Sequence, residues 1–370
     1  MNESKATRYQ RMQRRAQSAA WLLGGLTLAL VAFTPAGRWL FDASVGLAAV
    51  LPAALQFPVS LLLFISLVTA ICELGVLPAE LYRLRWVDPA YGRPDVGSVQ
   101  ARLVGTLALL PAVAAGGILV LVSGRVAAGA WWLLAGVLLS IAFACAVRIG
   151  PLILGRLGGV RPLVRPDLVT RIEAMARSAG VPVAGIQEWQ VGEGSPTVAM
   201  VAGIGRGRRV LLATDVVRHW SDDEITVVVA HELAHHVYHD LLRSLVLNAL
   251  VLCAGLLGSD LLIGWAGRWL RIEGAHDPVS LPVIGFAVLV VWLLATPLRH
   301  AQSRRQERRA DRFALRSTGH AEAFVTAIRR ASARHMVDER PTPMTRWLFH
   351  RHPSVSERLA LAERYRQGGH

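Results

Sequence analysis

Residues 221–266 read SDDEITVVVAHELAHHVYHDLLRSLVLNALVLCAGLLGSDLLIGWA, and this stretch decides the fold. Ser221 and Glu224 have the spacing of a capping box, which predicts a helix that begins outside a membrane and continues to Asp240. The run 242–266 that follows is apolar over the length of roughly 20 residues that a transmembrane helix needs. The chain therefore passes from a polar helix directly into a membrane span.

The composition agrees with a membrane protein. Of the 370 residues, 53% are hydrophobic and 18% are charged, and a mean hydropathy of +0.40 is too high for an ordinary soluble domain and excludes a disordered chain. A formal net charge of +14 is compatible with nucleic-acid binding, but the sequence has no nucleic-acid-binding motif and no aromatic residues interleaved with the basic ones. We therefore expect no nucleic-acid partner. The lipid bilayer is the expected partner instead.

Apolar runs long enough to cross a bilayer predict about six spans. They are residues 19–35, 58–80, 103–123, 128–149, 242–266 and 281–300. We interpret the first as an uncleaved anchor, because no A-x-A cleavage site follows it. The apolar stretch 43–56 is short and contains Pro52, which favours an interfacial or re-entrant segment.

The distribution of charge predicts the orientation of these spans. Residues 1–15 carry +4 (five basic, one acidic) and residues 299–370 carry +9 (sixteen basic, seven acidic), together 13 of the 14 net charges. Because basic segments stay in the cytoplasm, we expect both termini and the 150–241 segment on the cytoplasmic side of an inner (cytoplasmic) membrane. The bias towards Arg, Ala and Gly, with Lys5 as the only lysine, indicates a bacterial source.

The segment between the fourth and fifth spans predicts a small α+β unit. The pattern favours a helix over 167–179, strands over 186–191, 197–202 and 209–213, and a hairpin turn over 203–207. The last part predicts helices that run to Arg316, cover 320–334 and begin again at Ser354, which has capping-box spacing to Glu357. We divide the chain into an N-terminal membrane domain (1–150), the α+β segment (151–240), two further spans (241–300) and a C-terminal helical part (301–370).

The helix after Ser221 carries the segment His231-Glu232-Leu233-Ala234-His235. Residues four apart on a helix share a face, so both imidazoles can bind one metal ion, which predicts one Zn²⁺ per chain. Glu232 lies beside them, where a general base can take a proton from a water that the ion activates. The alternative is a histidine-rich solvated helix, which the neighbouring His236 and His239 would also fit.

Two histidines and a water leave one protein ligand missing in a catalytic zinc site. A candidate is Glu307, and Asp311 lies one turn further on the same face, where a carboxylate can orient a ligand imidazole. Both residues could instead pair with neighbouring arginines at helical spacing. Spacing alone leaves these two interpretations open.

Three segments together resemble the CAAX prenyl protease type 1 family: HELAH at 231–235, SRRQERRADRFA at 303–314, and His352-Pro353 with Arg358. The strand pair at 196–213 resembles the family as well, and the resemblance extends over roughly residues 58–366. It implies a membrane zinc endopeptidase whose helices enclose a chamber and whose site opens to the cytoplasm. It also assigns the ligands and the base: His231, His235 and Glu307 bind zinc, Glu232 is the base, and Asp311 orients a ligand.

The resemblance further implies that His352 and Arg358 contact substrate or stabilise the oxyanion of the tetrahedral intermediate, although His352 could also serve only to start the last helix. One position departs from the family. Where the family usually has Asn-Ala on the strand before the zinc helix, this chain has Val198-Ala199, so no asparagine side chain can act there. The backbone of Val198, Ala199 and Met200 could still hold an extended peptide by β-augmentation.

Several other residues attract attention without receiving a role. Glu73 and Asp260 lie in apolar spans, where an ionisable group is a functional hypothesis by default. The pair Trp131-Trp132 favours an interfacial belt. The three cysteines are far apart in apolar runs, which excludes a disulfide framework.

The sequence therefore predicts an α-helical multi-pass membrane protein of about six spans with a small α+β zincin-type catalytic unit. Its predicted function is that of a membrane-embedded zinc metalloendopeptidase resembling CAAX prenyl proteases, with a lipidated or membrane-bound peptide or protein as substrate. Two alternatives stay open. One is a membrane-protein quality-control protease of the heat-shock type, and the other is a non-catalytic scaffold or transporter.

Overall fold

The computed structural model of the chain describes residues 5–92, 99–157, 159–190, 198–203, 205–336, 338 and 341–368. Most of these residues are helical. In chain order the helices are α1 (Lys5–Phe33), α2 (Ala36–Ala48), α3 (Ala53–Tyr82), a π-helical turn (Arg83–Val87), α4 (Asp88–Ala90), α5 (Val99–Val126), α6 (Trp131–Leu157), α7 (Pro166–Ser178), α8 (Thr214–His219), α9 (Asp222–Val237), α10 (Asp240–Leu270), α11 (Ser280–Leu294), α12 (Thr296–Thr318), α13 (Ala321–His335), α14 (Pro343–Phe349) and α15 (Val355–Arg366). The strands are β1 (Val160–Pro162), β2 (Gly185–Trp189), β3 (Ala199–Ala202) and β4 (Arg209–Ala213).

The chain forms two compact units. The helical unit comprises Arg11–Ile141 and Asn248–Thr296, and the mixed unit comprises Met1–Gln10, Ala142–Leu247 and Pro297–His370. The finer four-part division made from the sequence stays a prediction.

Among the described residues, five helical segments are long and apolar enough to cross a membrane, or six if the bent pair α11–α12 counts as one span. The prediction of about six spans is confirmed. The sixth is broken, since α11 and α12 meet at an angle of 49°. Residues 43–56 form the end of α2, a turn and the start of α3. At 13 residues, α2 is about 20 Å long, which is shorter than the roughly 30 Å of a hydrocarbon core.

Two pairs of polar side chains join helices inside the helical unit. The indole N–H of Trp131, which is 2% exposed, donates to Asp260 Oδ1 at 2.6 Å. The prediction that Trp131 belongs to an interfacial belt is therefore wrong, because its ring is packed inside the helical unit and does not face lipid. Glu73 Oε2 accepts from Arg102 Nε at 2.8 Å, so it joins α3 to α5.

The mixed unit contains a four-stranded sheet with the order β1-β2-β4-β3. The pair β2–β4 is parallel, and the other two pairs are antiparallel. The predicted hairpin between β3 and β4 is present, and its turn requires Gly203, whose φ is +106° and where a Cβ would lie 2.8 Å from the Gly207 carbonyl oxygen. The predicted strand over 186–191 ends at Trp189, whereas Val191 and Thr197 lie outside the described residues. The sequence pattern also missed β1 and α8, which are too short to carry a period.

Helix α9 begins as predicted and ends earlier than predicted. The side chain of Ser221 accepts from the Glu224 N–H, and the Glu224 carboxylate accepts from the Ser221 N–H, which completes the capping box. The helix stops at Val237 instead of running to Asp240, because His239 adopts a φ of +54°, and a separate helix, α10, begins at Asp240.

The sides of α9 are covered by two separate cores. One side packs on the sheet and α7 through Ile225, Val229 and Leu233. Another side packs on α12, α13 and α15 through Val227 and Ala230. Burial on both sides holds the helix in one position.

The C-terminal helices match the sequence pattern in part. Helix α12 ends at Thr318, and Gly319 follows with a φ of +71°, as expected of a helix-terminating glycine. At α15 the side chain of Ser354 accepts from the Glu357 N–H at 3.3 Å. The predicted reciprocal bond is replaced, because the Glu357 carboxylate accepts from Arg346. Helix α14 was not predicted.

The pairing of Trp131 with Asp260 generates a stability prediction. Trp131→Phe keeps most of the buried area but leaves the carboxylate without its donor, so we expect a loss of about 1–3 kcal/mol and a lower melting temperature in detergent. Trp132→Phe is the matched control, since only Trp131 donates to Asp260. Equal melting temperatures for the two variants would contradict the importance of this bond.

Candidate metal centre

Helices α9 and α12 bring three candidate metal ligands together. The rings of His231 and His235 lie 5.0 Å apart between centroids on the same face of α9. Glu307 reaches both rings from α12, with Oε2 3.4 Å from His231 Nε2 and Oε1 3.7 Å from His235 Nε2. Each residue offers one ligand atom, and these atoms all lie within 4.8 Å of one another. Two imidazole nitrogens and one carboxylate oxygen are a donor set that fits a catalytic Zn²⁺.

The second nitrogen of each imidazole faces another carboxylate. His231 Nδ1 lies 3.0 Å from Asp311 Oδ1, close enough for an ion pair although the two groups are not aligned for a hydrogen bond. His235 Nδ1 lies 3.0 Å from Asp240 Oδ2. Carboxylates in this position fix the orientation of a ligand imidazole and raise its basicity.

Asp240 is the residue that sequence reasoning missed. It is 3% exposed and forms an ion pair with Arg309, whose guanidinium lies 4.2 Å above the Tyr238 ring. On the predicted continuous helix, Asp240 would lie five positions after His235 and off its face. The turn at His239 brings Asp240 back to the His235 ring. The signal in the sequence for a role of Asp240 was its position directly before a membrane span, where ionisable groups are often functional.

Arg358 and Asp311 form a bidentate pair. Arg358 Nε donates to Asp311 Oδ2 at 2.9 Å and Nη2 donates to Oδ1, while Asp311 has no exposed surface. The guanidinium also lies 5.8 Å above the Phe324 ring. Arg358 therefore holds the carboxylate that faces His231, and the same side chain lines the cleft in front of the ligands.

His352 approaches the ligands from the loop before α15. Its Nδ1 lies 2.9 Å from Glu307 Oε2, and its side chain remains 66% exposed. An exposed imidazole beside a ligand carboxylate is free to contact a molecule in the cleft.

A cleft of about 490 Å³ lies in front of the three ligands. Val198, Ala199 and Met200 line it, and they lie at the open edge of the sheet because β3 pairs only with β4 among the described strands. The Ala213 N–H donates to the Val198 carbonyl at 3.1 Å, so Val198 turns its backbone groups towards β4. Backbone direction alternates along an antiparallel pair, and the N–H and C=O of Ala199 therefore face the open edge.

The next outward carbonyl on this edge is already occupied. His236 Nε2 lies 3.2 Å from the Val201 oxygen, which ties α9 to β3. Among the described residues, the outward N–H and C=O of Ala199 have no hydrogen-bond partner, so they can pair with an extended chain.

The charge state of the site follows from burial and from its carboxylates. Burial raises the pKa of the Glu232 carboxyl above its ordinary value, and the positive charges of His231 and His235 offset only part of that rise. For His231, burial alone would lower the pKa, but the contacts with Asp311 and Glu307 outweigh it and raise the pKa to about 10. A positive charge is therefore stabilised between these carboxylates, as a metal ion at that position would be.

A helix-borne HExxH segment, a carboxylate from a later helix and an open strand edge are the features expected of a metallopeptidase site in a multi-pass membrane protein. The model of peptidase family M48 matches residues 162–366, more than half of the chain. The chain belongs to this family, and the prediction of a metalloprotease is confirmed.

Curated relatives include proteases from all domains of life. The chain is 30% identical over 241 residues to the uncharacterised metalloprotease YhfN of Bacillus subtilis (strain 168), which covers 63% of the chain and 56% of that relative. It is 24% identical over 362 residues to the CAAX prenyl protease 1 homolog of Caenorhabditis elegans, covering 85% and 78%. It is 30% identical over 200 residues to the protease HtpX homolog of Pyrococcus abyssi (strain GE5 / Orsay), covering 50% and 63%.

The fold is also that of a solved structure. The crystal structure of S. mikatae Ste24p superimposes with a TM-score of 0.73 at 19% identity, over 97% of this chain and 88% of that one. The predicted likeness to the CAAX prenyl proteases is confirmed at the level of fold and family.

The contact between Asp240 and His235 generates a prediction on metal affinity. Asp240→Asn removes the charge that orients His235, and we expect the metal to bind about 10–100-fold more weakly. Metal content after dialysis against a series of chelator concentrations measures the loss. Asp223→Asn is the control, because Asp223 lies on α9, at the end of that helix away from the two histidines, and pairs with Arg171. Unchanged retention in Asp240→Asn would remove this residue from the centre.

Proposed function

We propose that the chain is a zinc endopeptidase that cleaves extended peptide segments at a site facing the cytoplasm. The observation that supports this proposal most is the convergence of Glu307 and two imidazole Nε2 atoms on one point of the cleft. The basic terminal segments support the cytoplasmic orientation of both termini, since they hold 13 of the 14 net charges.

His231, His235 and Glu307 would hold the zinc ion. When bound, zinc polarises the scissile carbonyl group and acidifies water. Glu232 accepts the proton of the attacking water and delivers it to the leaving amine. The raised pKa of Glu232 favours both transfers, because a base whose pKa is closer to the working pH can both accept and release the proton.

The open edge of β3 would hold the substrate. An extended peptide pairs with the N–H and C=O of Ala199 as an additional strand, which needs no side chain and therefore tolerates Val198 in place of asparagine. His352 contacts the substrate or the developing oxyanion from the opposite wall of the cleft. Arg358 supports the site by holding Asp311, and its side chain also lines the cleft.

The proposed substrate class is a C-terminal, lipidated peptide, by likeness to the CAAX prenyl protease 1 homolog. The HtpX homologs among the relatives favour a second candidate, the clearance of membrane proteins without a lipid requirement. Cleavage of one peptide with and without a prenyl group separates the candidates. Dependence on the prenyl group supports the first, and equal cleavage supports the second.

Glu232→Gln tests the proton transfer. The amide cannot accept a proton, so we expect peptide cleavage to fall by at least about 100-fold, while zinc content stays near one per chain because Glu232 is not a ligand. The assay pairs fluorogenic peptide hydrolysis with elemental analysis of the purified protein. Activity of Glu232→Gln at the level of the unaltered chain would reject this role.

Ala199→Pro tests the strand edge. Proline removes an N–H that faces away from β4, so the ladder bonds remain while one substrate bond is lost. We expect a higher KM, by roughly fivefold for about 1 kcal/mol, with a smaller change in kcat. Ala199→Ser keeps the N–H and serves as the control. If both variants behave alike, the edge does not hold the substrate.

A further inference from the structure

Helix α14 in the mixed unit exposes large apolar side chains. No residue of Pro343–Phe349 is buried, and Met344 and Trp347, which are 72% and 54% exposed, lie three residues apart on one face. The helix is well formed, since Pro343 occupies its first turn and the Thr342 side chain accepts from the Thr345 N–H at 3.3 Å. Neighbouring exposed residues of this size indicate a contact surface.

Helix α14 is held at the point where α12 leaves the sixth predicted span. Arg304 Nη1 donates to the carbonyls of Arg346 and His350, at 3.1 and 2.7 Å. Arg304 follows His300, the end of that span, by four residues, or about 6 Å of helix. The headgroup layer beside the hydrocarbon core has a thickness of about 5–7 Å. Measured along α12, Arg304 therefore lies within about one headgroup-layer thickness of the predicted end of the span, and tryptophan is preferred in that layer.

The surroundings of α14 are strongly basic. Arg299 and Arg351 lie close enough for their positive charges to act on each other, and both act on His300 as well. Arg304 and Arg346 add two further charges beside the helix, and Glu357 compensates by pairing with Arg346. The excess of positive charge is complementary to the phosphate groups of anionic lipids.

We propose that Met344 and Trp347 insert into the headgroup layer of the membrane, with the exposed Arg351 bound to an anionic lipid phosphate. Helix α14 is then an interfacial element and not part of a water-exposed surface. The proposal rests on the membrane spans and does not depend on the substrate or on catalysis. Contact of α14 with the membrane would also hold the backbone that leads to His352, which follows His350 by two residues.

Spin labels in the full-length protein test the proposal. Met344→Cys and Trp347→Cys carry the label in vesicles of phosphatidylcholine mixed with phosphatidylglycerol, and the unaltered chain corrects for its own cysteines. Thr326→Cys is the matched control, because Thr326 is exposed on α13. We expect the labels at 344 and 347 to collide with dissolved oxygen, and to collide with a water-soluble nickel chelate less often than the control label at 326. The label at 326 collides with the chelate.

Each other outcome rejects a defined part of the proposal. Chelate collisions at 344 and 347 equal to those at 326 would reject the membrane contact. Protection from both reagents would show that a protein partner or a second copy covers α14, and would also reject it. Arg351→Gln should restore chelate collisions at 347 in the anionic vesicles, whereas Arg329→Gln on α13 should not. Identical behaviour of these two variants would overturn the role of lipid charge.

Discussion

The burial of α9 on two sides is the constraint on which the metal centre depends. One core joins it to the sheet and the other joins it to the C-terminal helices. With both sides fixed, His231 and His235 can point only towards Glu307 and the cleft. Ala230 and Ala234 have no exposed surface, because larger side chains at these positions would push the neighbouring elements away from the ligands.

Charge is arranged around this helix in layers. The imidazoles face Glu307 on one nitrogen and Asp311 or Asp240 on the other, and each outer carboxylate is compensated by an arginine. A buried carboxylate without a partner would be too costly to keep ionised. Arg358 and Arg309 therefore make it possible for Asp311 and Asp240 to act on the ligands. The bias of the chain towards arginine suits this arrangement, since a guanidinium can bind a carboxylate through two N–H groups.

Local rules predicted much of the molecule. The spans, the capping box of α9, the β3–β4 hairpin and the end of α12 at Gly319 all follow from spacing and residue type within a few positions. The proximity of His231 and His235 follows from helical geometry alone. The meeting of Glu307 with these residues needed the family resemblance, because no local rule joins α9 to α12.

The errors have a common cause. Asp240 was assigned to the helix of His235, because the sequence does not indicate that His239 adopts a positive φ and ends that helix. Trp131 was assigned to the interface, since its partner Asp260 lies on a distant helix. The capping partner of Ser354 was misjudged because Arg346 competes for Glu357. In each case a contact between distant residues overrides a local preference.

The order of the ligands along the chain has a consequence for synthesis. His231 and His235 precede α10 and α11, whereas Glu307 follows them. A growing polypeptide therefore contains only two of the three proposed ligands until α10 and α11 have been synthesised. The proposed metal site is completed only by the C-terminal part of the chain. On the proposed ligand set, peptide hydrolysis would therefore begin only after these helices have been made.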